Sequence, residues 1–210
     1  KKIQIFVSDN IKYILILFSL LFFIFIAIQT YNYFLTQQLK KTSINFFNSI
    51  ENSNEIFDSL NEIKNSNNIF ATLSILKLIQ KNNEDKNYNI SNELYKDLIF
   101  SKDLDNIYKS TIAIHASYTL INASLVEKTD IYLNDINNYI SNISDELLSF
   151  LSTKNELEYL LLLTDLDIKN IDYKNNSKIL EKYNEIYNSN LISSSVKERV
   201  KKIHEFQLYN

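Results

Sequence analysis

The sequence has 210 residues and a formal net charge of −3 at pH 7, and it contains no glycine, proline, cysteine, methionine or tryptophan. Its length allows one domain with a sizeable core plus an anchor, while a second full domain would be cramped. Without glycine or cysteine, the chain excludes the Walker phosphate loop, the GxGxxG dinucleotide turn, the standard EF-hand loop, disulfides and cysteine zinc sites.

Residues 1–10 are predicted to form a short cytoplasmic tail in front of a long apolar run. Lysines stand before the run at Lys1, Lys2 and Lys12, and after it at Lys40 and Lys41. Because positive charge concentrates on the cytoplasmic side of membrane proteins, this distribution favours a cytoplasmic N-terminus and an outward-facing remainder. A Met-Lys start normally keeps its methionine, so we expect a few residues ahead of Lys1 in the natural chain.

Residues 13–28 read YILILFSLLFFIFIAI, in which Ser19 is the only clearly polar side chain. Extended to residues 11–30, the run would form a helix of roughly 30 Å, which is the thickness of a bilayer's hydrocarbon core. We therefore predict a transmembrane anchor over residues 11–31, with aromatic rings and a lysine at its interfaces. The anchor residues singled out are Lys12, Tyr13, Leu17, Phe22, Phe25, Ile28 and Tyr31.

A cleaved export signal and a buried core helix are the two alternatives for this run. An export signal has a shorter apolar core, of about 7 to 15 residues, followed by small residues at its cleavage site. Here Ala27 is followed by Ile28, Gln29 and Thr30, which do not match such a site. A surface helix of a soluble protein needs a polar face, and this run is apolar on all sides.

Helical periodicity continues after the anchor, and we predict one helical domain over residues 32–210. The predicted helices cover residues 35–50 (continuing from the anchor), 54–65, 68–82, 89–100, 104–122, 129–140, 143–151, 154–169, 176–189 and 195–207. No convincing alternating strand pattern appears. Asn, Ser and Asp clusters replace glycine and proline in the turns, as in KNNEDKN at residues 81–87.

Two of these helices carry apolar side chains on more than one side. In the helix over 104–122, one stripe contains Ile107, Thr111, Ile114, Tyr118 and Ile121, and another flank contains the small residues Ala113, Ala116 and Ser117. In the helix over 154–169, one stripe contains Leu157, Leu160, Leu161, Thr164 and Ile168, and another contains Tyr159, Leu162, Leu163 and Leu166. We expect both helices to have neighbours on two sides.

Two helix starts carry the capping-box pattern, in which a serine or threonine and a glutamate three residues later each bind a free backbone N–H. Thr153 with Glu156 predicts a start at residue 154, and Ser195 with Glu198 predicts the start of the last helix. The last helix is expected to pack through Val196, Val200 and Ile203.

Many short helices, several with two apolar faces, favour helix hairpins stacked into an α-solenoid over a four-helix bundle, whose helices have one core stripe. The clearest predicted hairpins pair residues 89–100 with 104–122 and residues 154–169 with 176–189. The expected fold class is therefore all-α, with an N-terminal transmembrane helix followed by stacked helix hairpins.

Several segments, taken in order, resemble those of one family. They are SDNIKYILI and IQTYNYFLTQQ around the anchor, NIYKSTIAIHASYTLIN in the middle, and NELEYLLLLTDLDIKNIDYKNNSKILEKYNEIYNSNLISSSVKERVKKIHEFQL near the end. They resemble the single-pass bacterial membrane proteins with a tetratricopeptide repeat (TPR)-like domain, which include the ancillary SecYEG translocon subunit. The chain departs from the family's pattern where IKNIDY replaces a glycine-containing turn and where Leu or Ser often replaces Ala at helix crossings.

The resemblance implies a TPR-like α-solenoid anchored in the bacterial inner membrane, with the helical domain in the periplasm. It also implies a protein-binding scaffold of the Sec translocon, with translocon subunits and periplasmic chaperones as partners. A solenoid offers a concave surface to a partner's helix or extended segment, and an anchor raises the local concentration near a membrane complex. The residues that line such a groove stay unidentified at this point.

The two histidines, His115 and His204, show no metal-ligand spacing. We expect His115 to pack at a helix crossing and His204 to lie on a solvated last helix. The tyrosines on apolar stripes are Tyr108, Tyr118, Tyr159, Tyr183 and Tyr187. Core packing is the favoured interpretation of these tyrosines, although tyrosine also suits a binding groove.

Aspartates two positions apart occur at Asp103 and Asp105 and at Asp165 and Asp167. Such residues point in different directions on a helix, which favours caps or solvated faces over catalysis. No Lys/Arg cluster stands out against the acidic background, which argues against nucleic-acid binding. The prediction is a protein without enzymatic activity, cofactor, metal or small-molecule substrate, whose partners are proteins and the bilayer around residues 11–31.

Two classes of function remain open. The first, which we favour, is the membrane-anchored TPR-like scaffold near the translocon. The second is a membrane-anchored helical sensor or receptor ectodomain, which would normally need a cytoplasmic output domain or a second transmembrane span.

Overall fold

The computed structural model describes residues 2–51, 56–174 and 176–209, and all regular structure in these residues is helical. The helices are α1 (Lys2–Glu51), α2 (Ile56–Ile63), α3 (Ile69–Glu84), α4 (Tyr88–Ile99), α5 (Asn106–Glu127), α6 (Leu133–Ser141), α7 (Leu148–Lys169), α8 (Ser177–Asn188) and α9 (Ser194–Tyr209). The all-α class is confirmed, while Lys1 and the predicted helix start at residue 54 lie outside the described residues. The chain divides into two compact units, Lys1–Ser74 and Ile75–Asn210.

The first unit is built on α1, whose 50 residues correspond to about 75 Å of helix. The predicted boundary between residues 31 and 32 lies inside α1, which continues without interruption to Glu51. Helix α2 packs against α1 through an apolar side produced by the i, i+4, i+7 spacing. The buried residues of α2 are Ile56, Leu60 and Ile63. The C-terminal end of α1 also meets α3, since the rings of Phe46 and Phe70 are 5.5 Å apart.

The second unit packs each helix from α4 to α9 against the next one in sequence. In addition, α5 packs against α7, and α7 packs against α9. The helix pairs predicted most clearly are therefore in contact, α4 with α5 and α7 with α8. Because α5 and α7 each contact three or more helices, they form the centre of this unit.

Helix α7 is covered on both sides, as its two apolar stripes predict. Leu157, Thr164, Tyr159 and Leu166 are buried, and the other members of both stripes are at least half-buried. One side meets α5 and α6, and the other meets α8 and α9. The C-terminal core cluster consists of Tyr159, Leu166, Tyr173, Ile179, Ile186, Ile192, Val196 and Val200.

Helix α5 differs from its prediction. Its small residues are buried, with Ala113 and Ala116 fully inaccessible, whereas most of its predicted apolar stripe is not. Thr111 and Tyr118 are exposed, and Ile114 is half-buried. The physical reason is size, because alanine and serine let the backbones of neighbouring helices approach closely, and α5 packs against α4, α6 and α7. Ile107 and Tyr118 of the predicted stripe are left exposed, whereas the large residues Ile112, Leu120 and Ile121 are buried.

The capping-box prediction at Thr153 is wrong. The helices expected over 143–151 and 154–169 form one continuous α7, in which the Thr153 hydroxyl donates to the carbonyl of Ser149 at 3.4 Å. Glu156 turns inward and binds Arg199 instead of a free N–H. Apolar packing along the whole helix outweighs the local preference of threonine for a helix end.

The residues predicted for the second capping box, Ser195 and Glu198, are also wrong. Helix α9 begins at Ser194, so Ser195 lies inside its first turn. The hydroxyl of Ser193 accepts the hydrogen bond from the backbone N–H of Val196 at 3.4 Å. Glu198 pairs with Lys202 at 2.9 Å. The pattern located the helix start but placed the cap two residues too late.

Three turns use a residue in the left-handed region, although the chain has no glycine to place there. These residues are Lys86 (φ 60°), Lys128 (φ 50°) and Asn170 (φ 54°). They follow α3, α5 and α7 respectively, at an equal spacing of 42 residues. The three turns therefore repeat the same backbone solution at the same interval.

Two buried serines recur at the same interval. The Ser110 hydroxyl on α5 accepts from the N–H of Ser144 at 2.9 Å, and the Ser152 hydroxyl on α7 accepts from the N–H of Ser193 at 3.0 Å. Each bond attaches the loop that precedes the next long helix of the unit, α7 in one case and α9 in the other. Ser110 and Ser152 are 42 positions apart, like the left-handed residues.

Candidate functional site

The predicted anchor residues all lie on α1, and the side chains of Lys12, Tyr13, Leu17, Phe22, Phe25, Ile28 and Tyr31 are exposed. Within α1, the segment Leu15–Glu51 contains a window of mean hydropathy 2.0 with no buried residue. By length and composition this helix could span a membrane, and a signal sequence near the N-terminus meets the same criteria. The absence of burial disfavours the core-helix alternative.

A groove lies on the second unit between α3, α4 and α5, with a cavity volume of about 1010 Å³. Its walls come from the end of α3 and from the outward side of α5. The apolar and aromatic lining residues are Leu76, Ile79, Tyr88, Tyr95, Ile112, Ile114 and Tyr118. The polar lining residues are Gln80, Asn83, Glu84, Thr111, His115, Thr119 and Asn122. We call this surface the α3–α5 groove.

The stripe of α5 that was predicted to be core is a wall of this groove. Thr111, Ile114 and Tyr118 belong both to the predicted stripe and to the groove lining. They recur every three to four residues and therefore face one way on the helix. The sequence pattern identified these residues correctly as one face, and the structure shows that the face is open.

A hydrogen-bonded group forms part of the groove lining, centred on the nearly inaccessible Tyr95. Its hydroxyl receives a hydrogen bond from Asn83 Nδ2 at 3.1 Å and lies 2.7 Å from His115 Nδ1. Thr119 Oγ1 is 3.5 Å away. Burial raises the pKa of Tyr95, and the hydrogen bonds with Thr119 and Asn83 oppose that rise. The phenol is therefore held neutral and in place.

His115 only partly meets its prediction. It reaches across to α4, where its ring centroid lies 5.8 Å from that of Tyr95, but its side chain is exposed rather than packed in a crossing. The reason is that His115 stands on the open side of α5, next to Ile114 in the groove lining.

Tyr118 connects the groove to the C-terminal helix through a buried carboxylate. Glu156 on α7 is 4% exposed, and Arg199 on α9 binds its two oxygens through Nε at 2.7 Å and Nη2 at 2.5 Å. Burial raises the pKa of Tyr118 to about 12, and the negative charge of Glu156 adds to the rise. Tyr118, Glu156 and Arg199 thus connect α5, α7 and α9.

The prediction for His204 is wrong, because this side chain is buried at 8% exposure. Its ring stacks on Tyr183 with centroids 3.8 Å apart and planes 10° apart, and its Nδ1 is hydrogen-bonded to the hydroxyl of Tyr173. A sequence signal was present, since Val196, Val200 and His204 follow one another at intervals of four and all three are buried. Because histidine is polar, His204 was not counted as part of this buried stripe.

The remaining tyrosines and aspartates take mixed positions. Tyr159 is in the core, while Tyr108 and Tyr187 are exposed. Asp105 caps α5 by accepting from the N–H of Ile107 at 2.8 Å, as expected for a cap. Asp165 and Asp167 form exposed ion pairs, with Lys169 at 2.7 Å and Lys128 at 2.5 Å. Within the described residues, no three acidic or histidine side chains are grouped to hold a metal ion.

Comparison with protein-family models, with curated proteins and with solved structures found no significant match to this chain. The candidate site therefore rests on its own geometry. That geometry is an open apolar groove with a fixed hydrogen-bonded group, which suits the binding of another molecule.

Proposed function

We propose that this protein is a membrane-tethered scaffold that binds a segment of a partner protein in the α3–α5 groove. The observation that carries the proposal is the face of α5 with Ile114 and Tyr118, which forms a wall of the open α3–α5 groove. Isolated exposed apolar residues are common on protein surfaces, but a concave set with a few fixed polar groups is typical of a binding site.

The dimensions of the groove favour a peptide segment as its occupant. Along α5 the lining runs from Thr111 to Asn122, which corresponds to about 16 Å of helix. That length accepts roughly three turns of a partner helix or about five extended residues. In this proposal the protein acts by binding, without catalysis or a cofactor.

The repeated features support a solenoid of stacked helix hairpins as the fold of the second unit. Left-handed turns and loop-binding serines recur every 42 residues, and α5, α7 and α9 pack against one another in succession. Stacked repeats whose units contact their neighbours produce this succession. The interval is longer than the 34 residues of a TPR, so the proposed solenoid is TPR-like in its hairpins and not in its repeat length.

The tether gives the scaffold its place of action. We propose that α1 holds the chain in the bacterial inner membrane with its N-terminus in the cytoplasm and its helical domain in the periplasm. A tethered groove meets the segments of membrane-bound partners at a high effective concentration. The finer proposal, that these partners are Sec translocon subunits and periplasmic chaperones, rests on the resemblance of the sequence.

Site-specific photo-crosslinking tests this proposal. A photo-reactive phenylalanine analogue replaces Thr111, which is exposed in the groove, and in a matched variant it replaces Tyr108, which is exposed on α5 outside the groove. Both full-length variants are irradiated in native membranes, and the crosslinked proteins are identified by mass spectrometry against an anchor-only control. We expect crosslinks that form at position 111 and not at position 108.

The identity of the crosslinked proteins separates the two levels of the proposal. Groove-specific crosslinks to channel subunits or periplasmic chaperones support the translocon scaffold. Groove-specific crosslinks to signalling proteins would replace it with the sensor or receptor alternative. Equal crosslinking at both positions, or none, would overturn the groove as a binding site.

A further inference from the structure

The surroundings of His204 form a second feature that the groove does not use. We define the His204 cluster as His204 of α9, Tyr183 of α8, Tyr159 of α7 and Tyr173 of the turn between α7 and α8. The hydroxyls of Tyr159 and Tyr173 are 2.8 Å apart, and Tyr173 is in turn bonded to His204 Nδ1. The cluster therefore joins α9 to every helix it packs against.

A neutral imidazole satisfies every hydrogen bond of this cluster. With its proton on Nε2, His204 accepts at Nδ1 from the Tyr173 hydroxyl, and the Tyr173 oxygen accepts from Tyr159. A proton on Nδ1 would turn Tyr173 into an acceptor and force its own proton towards Tyr159. Among the described residues Tyr173 is the partner of the buried Tyr159 hydroxyl, whose proton would then lack an acceptor.

The charges around the cluster do not compensate an imidazolium. Besides the three tyrosines, the charged groups that face it are Glu205, which favours the protonated ring, and Lys201, which lies near Tyr183 and pairs with Glu205 at 3.7 Å. The stacked Tyr183 face attracts a cation, but the loss of hydration on burial is larger. Burial accordingly lowers the pKa of His204.

We propose that the His204 cluster is an acid-sensitive attachment of α9, which releases this helix from α7 and α8 when His204 is protonated. This inference does not depend on the proposed scaffold function. A released α9 would also withdraw Arg199 from Glu156 and so disturb the wall of the α3–α5 groove at Tyr118.

The direction of the effect follows from linkage. The attached helix holds a neutral His204, whereas a released helix has an ordinary histidine with a pKa of about 6.5 and binds a proton more readily. Attachment is therefore strongest above about pH 6.5 and weakens as the pH falls below that value.

Hydrogen exchange of the full chain in detergent micelles at pH 7.5 and pH 5.5 tests the proposal, after correction for the intrinsic dependence of exchange on pH. We expect the protection of α9 amides to fall by up to about tenfold at pH 5.5, because a free histidine is then about ten-to-one protonated. The amides of α6, which packs against α5 and α7, serve as the internal reference and should keep their protection.

Two variants of His204 and one control variant test whether His204 causes the pH dependence. In His204→Gln and in His204→Phe, which retains a ring against Tyr183, protection of α9 should become independent of pH, even if it is lower at both values. The control His115→Gln removes the other histidine and should leave the pH dependence of α9 protection unchanged. A pH-independent α9 in the original protein, or an equal fall in both His204 variants, would overturn the proposal.

Discussion

Helices α5 and α7 have the same length, 22 residues, and both carry apolar side chains on two sides, yet they bury different things. Helix α7 covers both of its large apolar stripes with neighbouring helices. Helix α5 buries its small residues and leaves most of its large stripe open to the α3–α5 groove. In α5, the close approach of backbones that alanine and serine permit therefore outweighs the larger apolar area of the competing face.

The largest expected loss of stability comes from breaking the ion pair between Glu156 of α7 and Arg199 of α9. Arg199→Met removes the partner of the buried Glu156 carboxylate and should lower the free energy of unfolding by about 2–4 kcal/mol, since a buried charge loses its partner. The loss is smaller than for a fully enclosed pair because the Arg199 side chain is 53% exposed. Chemical denaturation of the full chain in micelles, followed by circular dichroism, measures it. The double variant Glu156→Leu with Arg199→Met should recover most of the loss, because an apolar pair replaces the ion pair. A loss below about 1 kcal/mol in the single variant would mean that water reaches Glu156.

A medium effect tests the small-residue flank of α5. Ala116→Leu inserts a large side chain at a fully inaccessible position of α5, and it should cost about 1–3 kcal/mol in the same denaturation measurement. The matched variant Asn122→Leu places the same residue on the open side of the same helix. It should stay within about 0.5 kcal/mol of the original protein. Similar costs for the two variants would contradict the assignment of buried and open faces.

The smallest expected change in stability comes from placing glycine at the three left-handed residues of the repeated turns. Lys86→Gly should raise the free energy of unfolding by about 0.5–1 kcal/mol, because glycine adopts a positive φ without the steric cost that lysine pays. Lys128→Gly should gain less, since it also removes the exposed ion pair with Asp167. Asn170→Gly should gain least, because asparagine tolerates the left-handed region. An unfolding measurement that ranks them in another order would contradict this account of the turns.

Helix positions followed from the periodicity with small errors at most ends. The segment predicted over 89–100 is α4 at Tyr88–Ile99, and that over 176–189 is α8 at Ser177–Asn188. The largest error was the break predicted before residue 154, where a capping pattern suggested that a new helix starts inside α7. Local sequence patterns indicate where an isolated segment prefers to start or end a helix. They carry no information on the neighbouring helices whose packing extends a helix through such a position.

The sequence grouped three of the groove residues on one face of α5, but it did not identify the groove. The stripe of Thr111, Ile114 and Tyr118 was recognisable as one face, but periodicity does not say whether a face meets another helix or solvent. Tyr95 and Asn83 come from two other helices, so their meeting with His115 had no sequence signal. Contacts between residues distant along the chain depend on packing that a one-dimensional pattern does not encode.

Residue spacing within single helices was enough to predict the all-helical class, the apolar character of the N-terminal helix and the two-sided burial of α7. Only the tertiary structure decided that α5 buries its alanines, that His204 is enclosed by tyrosines and that Glu156 is paired inside the core. These outcomes depend on which helices compete for each face, and that competition is settled by side-chain size and close packing across the whole unit.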